Sequence, residues 1–126
     1  MLNDPMISLL QKAVSGTALR HRSISNNIAN TNTPGYKRMD VDFKTTLSRM
    51  VEDSKNENHT LKKDVGNPEF QVTREEHTAL RPDGNNVDID KEMTLLAKNS
   101  LEHEYYLTLL TKRLSMIKTV VNEGRR

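Results

Sequence analysis

The chain has 126 residues, of which 34% are hydrophobic, 29% charged and 4% aromatic, and it has no cysteine. That allows one domain with a thin core, and it excludes a disulfide framework and thiolate chemistry. Nineteen basic residues against 17 acidic ones leave a net charge of +2, too even for a nucleic-acid-binding face or an anionic membrane. The charge is unevenly spread: residues 1–44 hold six basic and three acidic groups, 45–90 six and ten, 91–126 seven and four. Basic ends thus flank an acidic middle. Asp4 and Lys12 interrupt the apolar positions of the first twenty residues, so no cleaved signal peptide is expected, and no stretch reaches membrane-spanning length.

Asp4 suits an N-cap, with Pro5 at the first helical position, where its missing N–H costs nothing. From there Ile7, Leu10, Val14, Thr17, His21, Ile24 and Ile28 repeat at alternating steps of four and three, thickened by Met6, Ala13 and Ala18. This heptad-like seam predicts a helix over 5–31, roughly 40 Å long. Gly16, Ser23, Ser25 and Asn26 weaken its intrinsic propensity, so the helix should depend on packing.

Residues 25–37, Ser-Asn-Asn-Ile-Ala-Asn-Thr-Asn-Thr-Pro-Gly-Tyr-Lys, form a stop signal. Asn and Thr side chains bond back to nearby backbone, and Pro34 pushes Thr33 out of the helical region. Pro34 and Gly35 fit the two central positions of a type II turn. Tyr36 follows as an anchor in a chain with three Tyr, two Phe and no Trp.

Beyond the turn, Val41, Phe43, Leu47, Met50 and Val51 fit a short amphipathic helix over about 42–52. Residues 53–68 carry only Leu61 and Val65 among charges and turn formers, which reads as a flexible linker or exposed loop, and the whole middle is expected to be mobile. Phe70, Gln71, Val72 and Thr73 alternate like a strand. Residues 81–86 form a loop with an Asp83-Gly84 turn.

The last element starts at Asp88 or Asp90, either of which can cap, with Glu92 in the favourable first turn. Its seam runs Ile89, Met93, Leu96, Ser100, His103, Leu107, Leu110, Leu114, Ile117 and Val121 at strict four-three spacing. Gly124 suits the C-terminal stop, and Lys118, Arg125 and Arg126 complement the negative end of the dipole.

The fold class expected is mainly α: long N- and C-terminal helices in a coiled-coil-like pair, with a short irregular middle that has room for a little β-structure. Segments 1–36, 37–87 and 88–126 form one domain, with 1–36 packing on 88–126. An antiparallel pairing would set Ile7 against Ile117, Val14 against Leu110 and Ile28 against Leu96, with His21 facing His103 beside Thr17 and Ser100 as a polar layer that fixes register. Leu9, Leu19, Leu101, Tyr105, Tyr106 and Leu109 fall outside these seams, so self-assembly or hetero-assembly is expected to cover them.

No catalytic residue suggests itself. His21, His59, His77 and His103 lack metal-ligand spacing. Asp83, Asn85, Asp88 and Asp90 lack the central glycine and terminal glutamate of a calcium loop. Asn58-His59-Thr60 matches a glycosylation sequon without a secretory signal to support it. No cofactor or metal is expected, and neither nucleic acid nor a small-molecule substrate is expected as a partner.

Ala29-Asn30-Thr31-Asn32-Thr33-Pro34-Gly35-Tyr36, preceded by Asn27-Ile28, resembles the signature of the bacterial flagellar axial proteins. Asp83-Gly84-Asn85-Asn86-Val87-Asp88 through Glu92-Met93, and the run from Tyr105 to Ile117, resemble the C-terminal helix of the rod subunits of that family. The resemblance covers about the first 45 and last 45 residues. It implies a structural subunit of the proximal rod, the drive shaft of the basal body, exported uncleaved through the flagellar type III apparatus and lying outside the cytoplasmic membrane. Implied partners are copies of itself, other rod subunits, the rod-to-ring adaptor and the export apparatus. The implied assembly motif is Asn27, Ile28, Ala29, Asn30, Thr33, Pro34, Gly35 and Tyr36, with the seam residues as packing surfaces. A cytosolic coiled-coil adaptor is the alternative; it explains the heptads but not the turn motif.

Overall fold

The computed structural model describes residues 4–55 and 70–125, so Leu61, Val65, His59 and the sequon, with most of the expected linker, lie outside the described residues. The order of elements is α1 (Pro5–Ala29), β1 (Met39–Val41), α2 (Lys44–Lys55), β2 (Val72–Arg74) and α3 (Ile89–Glu123). The protein is mainly α, with one two-stranded antiparallel sheet in which Asp40 pairs with Thr73.

Each boundary has a local cause. Asp4 caps α1, its carboxylate accepting from Met6 N at 2.9 Å, and Pro5 takes the first helical position. α1 ends at Ala29, two residues before the expected stop, because Asn30 and Thr31 turn their side chains back onto the carbonyls of Asn26 and Ile28. The Asp42 carboxylate accepts from Thr45 N and Oγ1 at the start of α2. Asp88, rather than Asp90, caps α3 and accepts from the amides of Asp90 and Lys91. At the far end Gly124 stays right-handed, at φ −69°, so the helix fades out without the left-handed stop its glycine allows.

α1 packs on α3, β1 and α2. Among the described residues the buried apolar ones are Leu10, Ala13 and Ile24 of α1 with Val41, Phe43 and Val87, so the segment between the two helices contributes to the core as α1 does. Phe43, fully buried, lies across α1 where Gly16 removes a side chain. Burying such a ring contributes roughly 1.5–3 kcal/mol. Arg20 adds a cation–π contact 6.0 Å from the centre of the ring and reaches Asp40 at 3.3 Å.

The helices run antiparallel, but in a different register from the one apolar matching predicts. Arg113 Nε bonds Asp4 Oδ2 at 2.8 Å, Thr17 Oγ1 and His103 Nδ1 lie 2.7 Å apart, and Asn99 Nδ2 donates to Thr17 O at 2.9 Å. α3 is therefore displaced by one to two turns from the expected alignment. His21 is exposed and does not face His103, and Ser100 is exposed as well. Polar groups set this register: leaving Glu92, Asn99 or Asn27 buried without partners would cost more than an imperfect match of aliphatic side chains.

A candidate assembly site: the clasp joining both terminal motifs

Segment 27–38 and segment 75–92 meet at the end of the helix pair, where three buried asparagines hold them together. An asparagine amide carries the same donor and acceptor as a peptide group, so it can complete backbone that no ladder reaches. Asn27, fully buried, uses all its capacity. Its Nδ2 donates to Met39 O at 2.7 Å and to Glu92 Oε2 at 3.2 Å, and its Oδ1 accepts from Met39 N at 2.8 Å and from the Tyr36 hydroxyl at 3.1 Å. Asn85 Nδ2 donates to the carbonyls of Asn30, Thr31 and Thr33 at 3.0, 3.1 and 2.8 Å, while its Oδ1 accepts from Val87 N. Asn86 Oδ1 accepts from Arg38 N at 2.7 Å, and its Nδ2 donates to Glu75 O and to the Thr78 hydroxyl.

The Pro34-Gly35 turn forms as its residues dictate. Gly35 has φ 70°, and Tyr36 N donates to Thr33 O at 3.3 Å. Gly35 N then donates to Asp83 O at 3.0 Å, and a Cβ on Gly84 would lie 3.7 Å from Gly35 Cα. The two glycine turns pack backbone to backbone. Lys37 Nζ seals the edge, donating to Thr78 O and Gly84 O.

Beneath the turns lies a buried ion pair. Arg38 Nε meets Glu92 Oε1 at 2.7 Å with side chains 5% and 0% exposed, and Arg38 Nη1 meets Glu75 Oε1 at 2.6 Å. Burial works against the Arg38 charge, but hydrogen bonds and attraction from Glu92, then Glu75, outweigh it and hold its pKa above the ordinary value. Burial also pushes the Tyr36 hydroxyl above its ordinary pKa, with Arg74 opposing and Glu92 adding to the rise.

Of the expected assembly motif, Asn27 is buried, Ile28, Asn30 and Tyr36 are half-buried, and Ala29, Thr33, Pro34 and Gly35 are exposed. Of the expected seams, Leu10 and Ile24 are buried, and Ile7, Val14, Ile28, Leu96, Leu110 and Ile117 are half-buried. Met93, Leu107, Leu114 and Val121 are exposed. The face of α3 turned to α1 replaces every second seam position by its N-terminal neighbour: Glu92 for Met93, Asn99 for Ser100, Tyr106 for Leu107, Arg113 for Leu114. Sequence reasoning gave no role to Arg38, Asn85, Asn86 or Glu92 in this network. One signal was available: Glu92 lies one position from the seam beside Met93, where a carboxylate turned inward needs a cation, and Arg38 stands two residues after the other motif.

Among the described residues no three His, Asp or Glu side chains gather as a metal site, and no helix is long and apolar enough to cross a membrane. Two long helices clasped by a polar network, with apolar surface left over, define a structural subunit made for packing. A family model described as flagella basal body rod protein matches residues 11–37. The flagellar basal body rod protein FlgB of Bacillus subtilis is 33% identical, covering 94% of this chain and 95% of that protein. FlgB of Salmonella typhimurium is 30% identical and that of Escherichia coli 28%, each with 96% of both chains covered. The chain belongs to the FlgB family of flagellar basal body rod proteins, a structural family and not one of enzymes.

Proposed function

We propose that this rod subunit assembles through its two terminal helices, with copies of itself, other rod subunits and the rod-to-ring adaptor, after uncleaved export by the flagellar type III apparatus. The observation that carries this reading is the apolar surface of α3 that α1 leaves uncovered, from Met93 to Val121. Monomeric proteins seldom expose stripes of that length. The clasp supports it by fixing how the middle segment leaves the helix pair, so that every copy offers neighbours the same shape. Asn27, Ile28, Ala29, Asn30, Thr33, Pro34, Gly35 and Tyr36 act here as a geometric motif: they end the first helix and dock its turn on the entry to the last. Fractionation tests the reading. The chain should co-purify with detergent-washed basal bodies and be absent from them when Leu114 and Val121 are replaced by Glu. Recovery in the soluble cytosolic fraction alone would overturn it.

A further inference from the structure

Asp83-Gly84 is the one place in the chain where glycine follows an aspartate or an asparagine. Such a pair carries its own reaction, because a glycine has no side chain to shield its nitrogen from the carboxyl group before it. Gly84 N would bond to Asp83 Cγ, the hydroxyl of the carboxylic acid leaving with the amide proton as water. Water then reopens the cyclic imide, either at Cγ, which restores aspartate, or at the old backbone carbonyl carbon. The second route gives isoaspartate: the chain now runs through Cβ and Cγ, and the former backbone carbonyl has become a free carboxylate. One water is released and one taken up, so no other reactant is needed.

The folded chain ties down both reacting groups. Gly84 N donates to Arg81 O at 3.0 Å, closing a turn with Pro82 and Asp83 at its central positions. Asp83 Oδ1 accepts from Asn85 N at 3.0 Å, and Asp83 O accepts from Gly35 N at 3.0 Å. Bringing Gly84 N onto Cγ requires the peptide plane between Asp83 and Gly84 to rotate, which carries Gly84 N off Arg81 O and Asp83 O off Gly35. The turn is also anchored from behind, since Asn85 is fully buried and bound to the carbonyls of Asn30, Thr31 and Thr33. Asp83 itself is exposed, so the protection lies in conformation and not in exclusion of water.

We infer that the clasp suppresses conversion of Asp83 to isoaspartate, and that a chain converted before the clasp closes forms a weaker one. Conversion adds a methylene to the backbone where the two glycine turns pack, and it removes the peptide carbonyl that Gly35 N binds. The site is thus a covalent record of time spent unclasped, and it holds for the folded chain whatever its neighbours are.

The purified full chain would be incubated at neutral pH in buffer and in unfolding urea for equal times, then digested, and isoaspartate at residue 83 quantified by mass spectrometry. The expected result is several-fold slower conversion in buffer, and equal rates would overturn the inference. Asn85→Ser separates the clasp from folding at large: with its helix content intact by circular dichroism, it should convert faster than wild type in buffer, and wild-type slowness would overturn the role given to the clasp. Should that variant lose its helices, Lys37→Met, which removes only the bonds to Thr78 O and Gly84 O, takes its place with the same two readings. The converted chain, separated chromatographically, should unfold at a lower urea concentration than the unconverted one. An equal midpoint would overturn the second half of the inference.

Discussion

Gly16 and Phe43 share one space: a Cβ built on Gly16 would lie 2.6 Å from Phe43 Cβ and 2.8 Å from its Cγ. A glycine inside a helix costs about 1 kcal/mol relative to alanine, yet here it admits the ring that joins β1 and α2 to α1. Gly16→Ala should therefore lower stability by about 1–2 kcal/mol, the cost of overpacking exceeding the gain in helix propensity. The urea midpoint of the purified chain measures this. Phe43→Leu added to Gly16→Ala should lose less than the two changes separately, and strict additivity would count against the contact.

The Arg38–Glu92 pair should be costly to break and cheap to replace. Glu92→Gln leaves the guanidinium without its fully buried counter-charge and should cost about 3–5 kcal/mol. The double replacement Arg38→Met with Glu92→Leu removes both charges and should retain more stability than Glu92→Gln alone. Denaturation of the three variants would test the order, and a double variant no better than the single would show that the ion pair is not what holds the clasp.

Two carboxylates predict an acid-sensitive end. Hydrogen bonds from Arg113, then from Met6 N, hold Asp4 below its ordinary 3.8, and hydrogen bonds from Thr45 do the same for Asp42. A pKa depressed by folding contributes stability that is present above the unfolded value and lost as pH falls through the folded one. Loosening of the starts of α1 and α2 should thus set in as pH drops below about 4. Asp4→Asn together with Asp42→Asn should flatten that limb of the stability curve.

Tyr36 predicts the opposite limb. Burial raises its pKa above 10.0, so the unfolded chain releases the proton first; the stability is full below about 10 and lost as pH rises through the folded value. Tyrosinate also cannot donate to Asn27 Oδ1. Tyr36→Phe should remove this alkaline component, and an unchanged alkaline limb would show that Tyr36 is not its source.

Replacing Pro34-Gly35 with Ala-Ala should let α1 run on toward residue 36 and impair assembly. At φ 70°, an alanine in place of Gly35 costs about 1–2 kcal/mol if the turn is kept, so the chain gains by abandoning the turn. Swarming in soft agar reads the effect, and full motility would dismiss the motif as an assembly element.

Much of the fold was legible because it depends on local rules. Asp4 and Asp88 cap as short polar side chains do, Pro34 and Gly35 make the turn their φ preferences require, and four-three spacing locates both long helices. The register was not legible, since it depends on where Glu92, Asn99 and Asn27 find partners far away in the sequence. Spacing of aliphatic residues could not show that α1 would meet Glu92 and Asn99 while Met93 and Leu107 faced outward. The seat of Phe43 was hidden for a similar reason: Gly16 read alone is a weak point in a helix, and only the distant ring gives it a purpose. Asn85 and Asn86 looked like ordinary loop residues, because nothing local reveals which carbonyls an amide will reach.

The pairing of Met39 with Arg74 and of Val41 with Val72 acts as a fixed doorway in the chain. Everything between Val41 and Val72 departs and returns through it, and the helix pair behind is tied shut by the asparagines. Closing a loop costs only about 0.6 kcal/mol more for each doubling of its length. Phe43 and α2 occupy the first part of that excursion and pack on α1, so only length added beyond Lys55 should leave the helix pair unstrained. A reporter peptide inserted beyond Lys55 should therefore leave the helix pair and its clasp in place.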